Sequence, residues 1–246
     1  MRTANPALND KTFEQLRSYG AADAMTLQGT VNKTAMMLLL LVASAAYTWG
    51  LFLEQQAEAL MMWMMVGVIG GLVVSIVTVF KKEWSPVTAP LYAVLEGFAI
   101  GGISAFFEAR YEGIVLQAVS LTFGTAGALL VAYKSGVIKA TENFKLGIFA
   151  ATGGIALVYL VNMIMGFFGS NLSFVSGAST MGIVFSLVVV VIAALNLVLD
   201  FDFIEKGAEQ GAPKFMEWYA AFGLMVTLIW LYIEILRLLS KLNSRK

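Results

Sequence analysis

The chain has 246 residues, 59% of them hydrophobic and only 13% charged, against roughly half apolar and a quarter charged in soluble domains. Sixteen basic residues balance sixteen acidic ones, so the clustered basic excess of a nucleic-acid footprint is missing and no nucleic-acid partner is expected. There is no cysteine and no histidine, which removes disulfides, thiol nucleophiles, zinc and haem ligation by imidazole, and histidine acid–base chemistry. What remains is carboxylates, hydroxyls, amides, Lys and Arg. No enzyme activity and no bound cofactor is expected, and the natural partner of such a surface is the lipid bilayer.

A helix needs about 20 mostly apolar residues to cross a bilayer's ~30 Å hydrocarbon core. Seven runs qualify: Thr34 to Leu53, Leu60 to Phe80, Ala89 to Phe107, Ile114 to Tyr133, Leu146 to Phe168, Gly177 to Leu199 and Trp218 to Leu239. The pattern predicts an all-α polytopic membrane protein with an N-terminal segment over 1–33, a seven-helix membrane domain over 34–240 and a basic tail over 241–246. Thr12 and Gln15 have capping-box spacing, which predicts a short surface helix in the first segment. Ala43-Ser44-Ala45 has the look of a signal-peptidase site, but the polar leader and the apolar run are both too long for a signal peptide, so the first span is expected to be retained.

Glycines lie inside several spans. Gly97 and Gly101 have GxxxG spacing, the pattern that lets membrane helices approach closely. Gly67, Gly70, Gly71, Gly124 and Gly127 are read the same way. The Met61–Met65 cluster points all round its helix and is expected to face lipid or packing partners, not a soft metal.

An ionisable side chain inside a membrane costs about 2.5–3.5 kcal/mol on insertion scales, so one that persists is expected to have a partner and a role. Asp200 closes the sixth span in Leu199-Asp200-Phe201-Asp202, and Glu234 lies deep in the seventh in Leu231-Tyr232-Ile233-Glu234. Helical spacing puts Asp200 and Asp202 on nearly opposite faces. Asn196, one turn earlier, shares the Asp200 face and favours Asp200 as the inward aspartate. The competing reading ends the helix at both aspartates, in the headgroups. Arg237 stands at i+3 from Glu234 and could neutralise it locally. Glu96, in the third span, is expected to hydrogen-bond a neighbouring helix as a packing residue or to serve as a further carboxylate of the pathway.

With a basic pair ending the second span (Lys81-Lys82), the segment Pro90-Leu91-Tyr92-Ala93-Val94-Leu95-Glu96-Gly97 and the opening Asn5-Pro6-Ala7-Leu8, these motifs in this order resemble the transmembrane Bax inhibitor motif family, in its bacterial, Bax inhibitor 1-like branch. The resemblance covers nearly the whole chain. It implies seven helices with the last one central, and a pH-sensitive calcium leak in the bacterial inner membrane. It also implies a proton shared between acids of the sixth and seventh helices, here Asp200 and Glu234, which would also be the calcium contacts. A basic latch from Lys81 or Lys82 to Asp200 is implied as well. Three departures stand out: Glu replaces Asp at 234, Lys stands where the latch is usually Arg, and the stretch from Asp202 to Lys214 is longer, with Gly207, Gly211 and Pro213 expected to break it.

The oxygen-rich, sulfur-free side chains suit a hard cation such as Ca²⁺. The alternative is a non-conducting regulator of a membrane protease or stress response, acting on a membrane-protein partner. An intramembrane aspartyl protease also needs two acids sharing a proton, but the chain has no Gly-x-Gly-Asp segment.

Basic residues concentrate in alternate loops, which places the N-terminus and the loops at Lys81, Lys139 and Lys206 on the cytoplasmic side. The basic tail (Arg237, Lys241, Arg245, Lys246) breaks the rule if seven segments all cross; a re-entrant seventh segment would return it inside. Single cysteines in this cysteine-free chain test the orientation. An impermeant thiol reagent added outside intact cells should leave a cysteine at 139 unlabelled; labelling there reverses the topology.

Overall fold

The computed structural model describes residues 24–245, and the capping-box helix expected around Thr12 lies outside them. Eight helices follow in order: α1 Leu27–Leu53, α2 Ala57–Phe80, α3 Ser85–Arg110, α4 Ile114–Lys134, α5 Glu142–Phe167, the short α6 Ser173–Ser176, α7 Thr180–Glu209 and α8 Met216–Asn243, with a 3₁₀ turn at Lys82–Trp84 before α3. Seven of them, all but α6, are long and apolar enough to cross a membrane. The protein is an all-α polytopic membrane protein.

The chain divides into two compact units, one of residues 24–110 with Asp202–Val226, the other of Tyr111–Phe201 with 227–245. In the first, α3 packs against both α1 and α2. The packing rests on glycine. A Cβ on Gly97 would overlap Ser44 Oγ and the Leu41 carbonyl, and one on Gly101 would overlap Thr48 Oγ1 and the Ala45 carbonyl. On the other side, a Cβ on Gly67 of α2 would stand 2.5 Å from the Leu95 carbonyl oxygen and 2.7 Å from the Ala99 nitrogen. Lipid tails are as apolar as leucine, so close backbone approach and van der Waals contact, more than burial from water, hold such helices together. Gly124 and Gly127 of α4 have no atom within 4 Å of an added Cβ, so the packing role expected for them is absent within the described residues.

α1 begins at Leu27, well before the apolar run at Thr34. Thr26 is its N-cap, its hydroxyl accepting from Gly29 N at 3.0 Å. The same residue donates its backbone N–H and its hydroxyl to Glu217 Oε1, both at 2.9 Å. Glu217, at the start of α8, is fully buried and also pairs with Lys33 of α1 and with Lys214, the latter at 3.0 Å. The polar turn of α1 that a hydropathy reading assigns to the leader is therefore helix, with its charge neutralised by another segment of the unit. Met25 N donates to the Ala212 carbonyl at 2.6 Å, and Ser85 Oγ to the Phe215 carbonyl at 2.9 Å, so the α7–α8 turn is tied to the starts of α1 and α3.

In the second unit, Ile148 of α5 and Leu199 of α7 form a small core with Phe144, Ile192 and Leu195 packed against it. α7 does not end at the aspartates. It continues through Asp200, Asp202 and Gly207 to Glu209, and the break comes only at Gly211, whose φ of 65° is left-handed and suits glycine. Asp202 pairs with Lys206 one turn on, at 2.9 Å, which supports the helix where glycine would weaken it. α8 is one continuous helix of 28 residues, about 42 Å long at 1.5 Å per residue, long enough to cross in full and without the break a re-entrant segment needs. Over half of its apolar window, 56%, is buried, more than in any of the other six. Its end is fixed beside the α5–α7 connection by Arg245, which donates to Thr180 Oγ1 at 2.8 Å.

The two kinds of glycine give a clean contrast. Gly101→Ala should lower the stability of the purified protein by about 1–3 kcal/mol, the usual cost of overpacking a filled seam. Gly124→Ala, with open space and a better helix former, should leave it unchanged or raise it by up to about 1 kcal/mol. Thermal unfolding in detergent compares them directly, and equal losses at both positions would show that the α1–α3 seam is not glycine-dependent.

Candidate functional site

The sixth and seventh crossing helices each bring a carboxylate into the interior of the same unit. Asp200 on α7 is 0% exposed and Glu234 on α8 is 2% exposed. Glu234 is held by Tyr159 of α5, whose hydroxyl lies 2.9 Å from both carboxylate oxygens, and by Arg237, whose Nη1 is 3.0 Å from Oε1. The Arg237 guanidinium also stacks over the Tyr159 ring at 5.2 Å, and that ring meets Phe185 of α7 edge-on at 6.1 Å. The i+3 pairing of Glu234 with Arg237 therefore forms, and a tyrosine from a third helix joins it.

Asn196, 3% exposed, faces inward as its spacing indicates and donates from Nδ2 to Thr152 Oγ1 of α5 at 2.9 Å and to the Ile192 carbonyl at 2.8 Å. It fixes the face on which Asp200 sits one turn later. Asp202, expected on the face opposite the inward Asp200, is also buried, at 7% exposed. Opposite faces of a helix are both covered when it is enclosed on more than one side, and the Lys206 pairing meets the charge of the second aspartate.

Glu96 is half-buried. Its hydrogen bond comes from Tyr92, one turn earlier on its own helix, and not from a neighbouring helix as expected. Its carboxylate instead lies against Gly71 of α2, where an added Cβ would stand 2.9 Å from Oε1. Tyr92 in turn meets Phe222 of α8 edge-on at 4.9 Å. Of the two latch candidates, Lys81 closes α2, its N–H donating to the Val77 carbonyl, and Lys82 places its ammonium 5.6 Å from the centre of the Tyr219 ring, a cation–π distance.

Four residues with polar contacts to other segments are not among the site candidates read from sequence. Tyr159 was legible as a phenol in mid-span, where its hydroxyl needs an acceptor. Glu217 lies one residue outside the apolar run, and Lys214 at i−3 is a visible partner. Lys33 reads as leader, and Lys241 as tail. Both are parts of crossing helices whose charges are met by other segments.

The family model for Bax inhibitor 1 like proteins matches residues 5–244, nearly the whole chain. No curated protein matches it.

Tyr159→Phe removes the one hydroxyl that touches both oxygens of Glu234. Loss of a hydrogen bond to a charged group costs about 1.5–3 kcal/mol, and thermal unfolding of the purified variant should fall accordingly. Glu234→Gln in the Tyr159→Phe background should add less than it does alone, since the two groups share one interaction. Additive losses would separate them.

Proposed function

The chain belongs to the Bax inhibitor 1-like family, and we propose that it is a pH-sensitive calcium leak of the bacterial cytoplasmic membrane, with its N-terminus on the cytoplasmic side. The observation that carries this reading is the pair of buried acids, Asp200 and Glu234, on the last two crossing helices of one unit. Carboxylate oxygens suit Ca²⁺, which completes its shell with carbonyl, hydroxyl and water oxygens.

In the arrangement described, Glu234 is occupied by Tyr159 and Arg237, which suits a closed state in which the carboxylate is not offered to an ion. A change of proton occupancy at the Asp200–Glu234 pair alters the attraction to Arg237 and with it the hold on α5. On this reading the two acids come together to share a proton, and acids in such contact titrate as a pair rather than singly. A calcium ion and a proton then compete for the same oxygens.

Purified protein in liposomes loaded with a calcium indicator tests the proposal. Wild-type flux should change with pH across the range from about 5 to 8, and raised calcium should shift the profile toward lower pH because the ion displaces the proton. Asp200→Asn and Glu234→Gln should each change the flux several-fold and flatten its pH dependence. Asp202→Asn, whose charge is already met by Lys206, should stay near wild type. Absence of calcium flux at every pH would favour the non-conducting regulator, and a flat wild-type profile would remove the shared proton from the mechanism.

A further inference from the structure

Lys241, in the last turn of α8, is 5% exposed. Its ammonium donates to three oxygens: the Val175 carbonyl at 2.7 Å, the Gly182 carbonyl at 3.1 Å and Ser186 Oγ at 2.8 Å. An ammonium has three donors and no acceptor, so all three are used. The oxygens come from α6 and the first two turns of α7, segments shaped to present them. A Cβ on Gly182 would overlap the Gly177 carbonyl and stand 3.3 Å from the Phe174 carbonyl, and one on Gly177 would stand 2.5 Å from the Ser173 carbonyl. The Phe174 and Phe185 rings meet edge-on at 5.4 Å within the same segments. The turn is thus folded tightly on glycine, with two carbonyls and a 1%-exposed serine hydroxyl converging on one point.

A single hydrogen bond would anchor a helix end. Three converging neutral oxygens do more, because they form the donor set from which proteins build sites for small unhydrated cations. The set has no carboxylate, so it compensates one positive charge and not two; Ca²⁺ sites normally include acids. Lys241 is seven residues from Glu234, about 10 Å along the helix, with Arg237 between them.

We propose that the Val175, Gly182 and Ser186 oxygens form a binding site for a primary ammonium or monovalent cation, which the chain fills with Lys241 as a tethered occupant. Resting on the leak reading, this occupant closes the pathway at the α5–α7 end, and vacating the cage opens it.

Lys241→Ala deletes the atoms that propylammonium would restore. Thermal unfolding of the purified variant in detergent should rise with added propylammonium and not with tetramethylammonium, which has no N–H donor, while wild type, its cage filled, should respond to neither. In liposomes the same variant should leak calcium several-fold faster than wild type, and propylammonium should bring it back. Ser186→Ala keeps the lysine but removes one cage oxygen; its flux should also exceed wild type, which covers the case of an unstable Lys241→Ala. Lack of ammonium-selective stabilisation overturns the site. Stabilisation with flux that stays at the wild-type level overturns the closure. Absence of calcium flux from wild type and variants alike refutes the leak, while the unfolding measurement still decides the cage.

Discussion

A charge that enters the hydrocarbon core leaves water behind and finds no substitute in lipid, so it must bring or meet its own partner. Three buried ionic groups of this chain satisfy that demand, each in a distinct way. Glu217 takes two lysines and a threonine's backbone and hydroxyl. Glu234 takes a phenol and a guanidinium. Lys241 takes neutral oxygens alone. The positions of these partners dictate which helices are neighbours: α1 and the α7–α8 turn for Glu217, α5 for Glu234, α6 with the start of α7 for Lys241. The polar contacts define neighbours that the apolar side chains, interchangeable with lipid, leave undetermined.

Close backbone approach supplies the remaining cohesion. α3 is the example in the first unit, seated on α1 through Gly97 and Gly101 and on α2 through Gly67. Elsewhere the long helices present leucine, valine, phenylalanine and methionine outward, Met61, Met62 and Met65 among them. In water such a surface would be an aggregation hazard. Here it is what a bilayer requires, and it marks the faces on which no close protein neighbour is needed.

Hydropathy made the number and order of the crossing helices legible, because twenty apolar residues in a row admit few other structures. It misplaced their ends where a charged residue belongs to the helix but finds its partners on another segment, as at Lys33 and Lys241. A window over the sequence sees the charge and not the partner. Asn196 and the GxxxG pair were readable because their signals are periodic and local. Tyr159 was not singled out, since a tyrosine in an apolar run gains its meaning only from the acid it reaches on another helix. Two of the tail's basic residues are likewise engaged within the protein, Lys241 by the Val175, Gly182 and Ser186 oxygens and Arg245 by Thr180.

The ionic groups of α8 differ in what supports them. Glu217 lies in the first turn and Lys241 in the last, where the helix macrodipole favours an anion and a cation respectively. Both have at least three hydrogen-bond or ion-pair partners, so either charge is over-determined and loss of one partner leaves others in place. Glu234 lies well inside the helix, beyond the reach of the dipole, which fades within a turn of the end. It is met there by Tyr159 of α5 and by Trp230 and Arg237 of α8 itself. The shared proton proposed above would then act on the middle of a helix that is fastened at both ends.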